Sequence, residues 1–136
     1  MTPWPLSVAF PLTLAISIAL MLAFDTLGSL YTRSNQGFKY QNLAPVQFGL
    51  YILIGAAAQL ALLDIHRVEI VGAATAFTEA TVGWWISWRL GAGRVANATP
   101  DRIAIAIFAI TAFGFGFAIL GALLFNAAAA VLLRTH

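Results

Sequence analysis

The sequence has no cysteine. That removes disulfides, thiolate nucleophiles and cysteine-ligated metals together, and leaves the redox compartment unreadable. Charge is scarce as well. Lys, Arg, Asp and Glu make up 9% of the 136 residues, against about a quarter in a soluble globular protein. There are two histidines, His66 and His136, one in a polar connection and one at the end of the sequence. No His pair, HExxH helix or His–carboxylate set exists that could hold a catalytic metal or a haem iron. No glycine-rich phosphate loop appears, and the seven cations are scattered rather than gathered in a basic stripe. Neither a cofactor nor a nucleic-acid partner is therefore expected. With no nucleophile–base set in view, the chain is not expected to be an enzyme.

What the chain does have is apolar surface. Hydrophobic residues make up 61% and the mean hydropathy is +0.89. A soluble chain this short needs a polar exterior and could not hide so much oil. The lipid bilayer is the expected partner. Four apolar segments each approach the roughly 20 residues that a spanning helix requires: residues 6–30, 46–63, 69–90 and 103–133. The first continues too far to be a signal-peptide core and reads as a retained helix. Polar residues gather between the segments. Pro45 falls in the first turn of the second helix. Thr99, Pro100 and Asp101 read as the N-cap, first residue and acidic first turn of the fourth. Asp64 to Val68 reads as a tight charged turn. Short connections make neighbouring helices antiparallel, so the expected fold is all-α. It is a single domain, a four-helix transmembrane bundle of up-down topology with both termini on one side.

The cations suggest an orientation. Arg33, Lys39, Arg89, Arg94 and Arg102 lie in or beside the loops at 31–45 and 91–101, and only Arg67 and Arg134 lie at the other end. The excess favours a cytoplasmic location for those two loops. Trp4, Tyr31, Tyr40, Trp84, Trp85 and Trp88 flank the segments where amphipathic rings sit at the headgroup level. The three clustered tryptophans could alternatively form a ligand-stacking cage.

The residue that bears most on function is Glu79. It lies near the middle of the third segment, about ten residues from either end and so about 15 Å deep. A charged acid at that depth costs about 2.5 to 3.5 kcal/mol or more. It must be neutral, paired or facing water. Gly72, Thr75, Glu79, Gly83 and Ser87 recur at spacings of three and four, one small and polar stripe suited to close helix approach. Glu79 has no evident basic partner at its depth. Asp25, near the inner end of the first segment, is expected in an ion pair with Arg33, Lys39 or Arg89, or as an inner gate. Asp25-Thr26-Leu27-Gly28 resembles Glu79-Ala80-Thr81-Val82-Gly83, which suggests a duplicated helical hairpin. Gln59 and Asn126 are expected to meet between the second and fourth helices. The row Thr111, Gly114, Ala118 and Gly121 reads as a packing face.

These residues support two functional expectations. One is a small homo-oligomeric transporter or channel-like protein with Glu79 as its protonatable group, backed by Thr75. The other is an accessory or assembly subunit whose small-residue faces dock onto the helices of other membrane proteins.

Overall fold

The computed structural model describes residues 4–91 and 99–134. Among these the regular secondary structure is all helix, with no strand. We number the helices α1 (Leu6–Ser34), α2 (Ala44–Leu62), α3 and α4 (Pro100–Arg134), with a 3-10 turn, Tyr40–Leu43, leading into α2. The third is continuous but not uniform. Ile65–Thr78 is α-helical, Glu79–Gly83 is π-helical and Trp84–Arg89 is α-helical again; α3 denotes all three pieces. Three spans, Leu6–Ser34, Tyr40–Leu62 and Pro100–Arg134, are long and apolar enough to cross a membrane. The third helix, with a charged first turn and a break to π geometry after 14 residues, is not among them.

Several helix ends lie beyond the apolar runs: α1 continues to Ser34, and α2, α3 and α4 begin at Ala44, Ile65 and Pro100, while α2 and α3 end one residue short of theirs. Asp64 caps α3, its Oδ1 accepting from the His66 N–H at 3.0 Å. Helix therefore begins at Ile65 rather than Glu69, and the expected charged turn is mostly the first turn of α3. Arg67 pairs there with Asp64 at 3.1 Å and His66 with Glu69 at 3.2 Å. Hydropathy cannot register a helical turn made of such residues. Replacing Asp64 by Ala should cost about 1 kcal/mol of stability, measurable as a lowered melting temperature in detergent. Leu63, in the left-handed region at φ 52°, ends α2 and reverses the chain. Pro45 and Pro100 lie in first turns as expected, where the missing N–H is not needed. Arg94 and the rest of residues 92–98 lie outside the described residues.

Helix directions can be read from side-chain contacts. Asp25 and Ser29 of α1 meet Gly83 and Ser87 of α3, so α1 and α3 run the same way. Gly72 packs on Ala118 and Gly114 on Ala76, so α3 and α4 run oppositely. The α2–α4 contact is the closest. A Cβ added to Gly55 would lie 1.8 Å from the Ala118 carbonyl oxygen, and one on Gly121 would lie 1.9 Å from that of Ile52. Phe48 stacks on Phe117 beside this crossing, with ring centroids 4.6 Å apart. α2 and α3 form the central pair. α4 covers one side of it and α1 the other, and α1 makes no packing contact with α4.

The core holds Met21, Ile54, Val68 and Val71 as in any helical bundle, but it also holds polar side chains while large apolar ones cover the exterior. Asp25, Ser29, Gln59, Thr75, Glu79 and Ser87 are buried, while Ile16, Leu53, Leu60, Phe108, Phe113 and Leu133 face outward.

Candidate functional site

The π turn places the site. The Trp84 N–H reaches back five residues to the Glu79 carbonyl, the defining bond of that geometry, and single π turns recur at functional positions. The expected inward stripe is present: Gly72, Thr75, Glu79, Gly83 and Ser87 are all buried.

Glu79 is 5% exposed, and both of its oxygens are engaged from α2. Gln47 donates its amide Nε2–H to Oε1, and Tyr51 donates its hydroxyl to Oε2. The sequence shows no basic partner for Glu79 at its depth, and these two donors were not among the residues singled out there. A signal for them exists: Gln47, Tyr51, Gly55 and Gln59 recur every four residues and form a polar and small face on an otherwise apolar helix.

Asp25 is not in the expected ion pair. It is 2% exposed and is bonded to a phenol. Tyr40 donates its hydroxyl to Asp25 Oδ1 at 2.6 Å. The reason lies in Gly28, one turn further along α1. A Cβ there would lie 2.7 Å from Leu43 Cδ1 and 3.2 Å from Tyr40 Cε2, so glycine lets the 3-10 turn close onto the helix and deliver Tyr40 inward. Tyr40 is half-buried, with its hydroxyl turned inward to Asp25. Tyr31 stays at the exposed surface, edge-on to Phe38 at 5.1 Å.

The two acids share one location, which the sequence reading did not anticipate. Gly83 lies between them. A Cβ at this position would lie 1.9 Å from Asp25 Oδ2 and 3.3 Å from Glu79 Cγ. The stretches that resemble one another in sequence, 25–28 and 79–83, thus touch where Asp25 meets Gly83, on parallel helices. Next to the acids, the Ser29 hydroxyl donates to Ser87 Oγ at 2.9 Å in a buried contact, and Ser87 interacts with the Tyr40 hydroxyl. Among the described residues the ion pairs are those of the Asp64–Glu69 turn, and neither Asp25 nor Glu79 takes part in one.

The remaining expected site residues are placed differently. Thr75 is fully buried one turn before Glu79, and its hydroxyl has no hydrogen-bond partner. Gln59 is buried with Oε1 unpartnered. Asn126 is exposed on α4, so the expected Gln59–Asn126 contact does not satisfy Gln59. Gly114 and Gly121 pack inside the chain, against Ala76 and Tyr51 and against Ile52, which takes them out of any docking face. Trp84, Trp85 and Trp88 line an open groove of about 280 Å³ beside Ile103 and Ile107 of α4. Its walls are apolar, and the Arg89 guanidinium lies 5.4 Å from the centre of the Trp85 ring.

No family model, curated protein or solved structure matches the chain.

Proposed function

We propose that the chain is a small multi-pass membrane protein that binds and passes a small cation at the Asp25–Glu79 pair, acting as a transporter or channel-like protein. The outward apolar side chains and inward polar ones support the bilayer setting, since lipid is the medium that such an exterior suits. One observation supports the cation: two buried acids lie to either side of Gly83 with hydroxyl and amide donors around them and, among the described residues, no Lys, Arg or His paired to either. Acids inside a membrane segment mark ion and proton pathways, and an uncompensated pair has use for a positive charge. The excess of cations in and beside loops 31–45 and 91–101 favours a cytoplasmic location for both.

The test is flux. Purified protein in sealed vesicles with an entrapped pH-sensitive dye should pass protons or alkali cations. Glu79→Gln should reduce that flux to the level of empty vesicles while circular dichroism stays helical. Flux unchanged in Glu79→Gln would remove that residue from the function.

Asn126 favours a second reading, in which the chain also docks through α4, either to its own copies or as an accessory subunit of a larger assembly. An amide on a lipid-facing surface lacks partners there and finds them on another helix, such pairs contributing about 0.6 kcal/mol on average. Asn126→Leu should weaken the assembly seen by native mass spectrometry of gently extracted protein. An assembly indifferent to that change removes the α4 contact.

A further inference from the structure

The four carboxylate oxygens of the pair are not equivalent. Glu79 Oε1 and Oε2 each accept a hydrogen bond, from Gln47 and Tyr51, and Asp25 Oδ1 accepts one from Tyr40. Asp25 Oδ2 is buried and has no partner. It points at Gly83, beside Glu79, across a space that would not admit the single carbon of an alanine side chain. A buried carboxylate oxygen with no donor costs far more when charged than as a neutral hydroxyl that carries its own hydrogen. Glu79, with donors on both oxygens, is arranged as an acceptor, the role of an ionised carboxylate.

From this asymmetry we infer that the pair holds one exchangeable proton, that the proton sits on Asp25 Oδ2, and that Glu79 is the fixed negative partner. The inference rests on the proposed cation-binding function and deepens it, moving the exchanging atom from the third helix to the first. Loading is a single step: Asp25 carboxylate and a proton form the Oδ2–H bond, and release reverses it. Among the described residues, the titratable groups facing Asp25 are Tyr40 from the 3-10 turn, Tyr51 from α2 and Glu79 from α3. None of them supplies a positive charge. The closeness of Gly83 excludes an organic cation from this gap. Among the described residues no third His, Cys, Asp or Glu joins the pair to make a three-ligand metal site.

Infrared difference spectroscopy of the full chain in lipid nanodiscs, between acidic and alkaline pH, tests the assignment. The spectrum should contain the carbonyl stretch of one water-shielded carboxylic acid. Labelling the aspartate side-chain carboxyls with carbon-13 should shift that band, and labelling glutamate should leave it in place. Because labelling changes no side chain, the result does not depend on whether a variant folds. Glu79→Gln should keep the band and Asp25→Asn should abolish it. A band that follows the glutamate label overturns the assignment and leaves the proposed function standing. Absence of such a band, with carboxylate bands that respond to sodium or potassium instead, overturns it in favour of a metal cation. The expected band in vesicles that pass no proton confirms the site and refutes transport.

Discussion

Gly55→Ala is expected to pry α2 away from α4. The added methyl would lie 1.8 Å from a backbone oxygen, that of Ala118, and no rotamer change can move a carbonyl. Overpacking a tight contact costs about 1–3 kcal/mol, and a clash with backbone belongs at the upper end of that range. Gly121→Ala meets the Ile52 carbonyl on the same crossing, so the two changes share a displacement and their costs should not add. Controls lie on the same helices. A Cβ at Gly49 of α2 or Gly116 of α4 meets nothing within 4 Å. Gly49→Ala and Gly116→Ala should be neutral or gain up to about 1 kcal/mol from helix propensity. Thermal melting of the four variants in one detergent, followed by tryptophan fluorescence, makes the comparison. Equal melting points for Gly55→Ala and Gly49→Ala would contradict the close crossing.

Gly83→Ala adds the same methyl group with a different expected result. The atom struck first is a side-chain oxygen, Asp25 Oδ2 at 1.9 Å, and a side chain can swing aside. Doing so breaks the 2.6 Å bond from Tyr40 and leaves buried polar atoms unpaired, a loss of about 1–3 kcal/mol. The bundle should remain helical with a reduced melting point, because α2 and α4 are untouched. The carboxylate pair should not survive, and flux through the protein should fall to background. The contrast identifies which glycine serves the fold and which serves the site. Full flux in Gly83→Ala would show that the gap between the acids has no role in passage.

The helices were legible in the sequence because apolar runs of spanning length leave few alternatives, and because Pro45 and Pro100 mark first turns. The inward face of α3 was legible for the same kind of reason, since small and polar residues at helical spacing are conspicuous among Leu and Phe. Depth along a single helix was a poor guide to pairing. Asp25 lies near the cations of the first loop in sequence, which suggested an ion pair. The loop instead folds back over Gly28 and presents Tyr40. That reversal depends on a 3-10 turn of four residues, too short to leave a periodic signal. The meeting of Asp25 with Glu79 depends on which helices are neighbours, and one helix read alone does not carry that information. The charged start of α3 was concealed because a hydropathy window registers composition, whereas Asp64 sets the boundary by a single hydrogen bond.

The π turn at Glu79–Gly83 also sets the phase of everything after it. In an α-helix each residue advances the helix by about 100°. Were the same residues between Thr78 and Trp84 wound as plain α-helix, the last stretch of α3 would be rotated by about 100° relative to the first. Ser87 would turn away from Ser29, the tryptophans would face another neighbour, and Glu79 would stay where it is. The π turn acts as a phase shifter, allowing one helix to present Glu79 to α2 and Ser87 to α1.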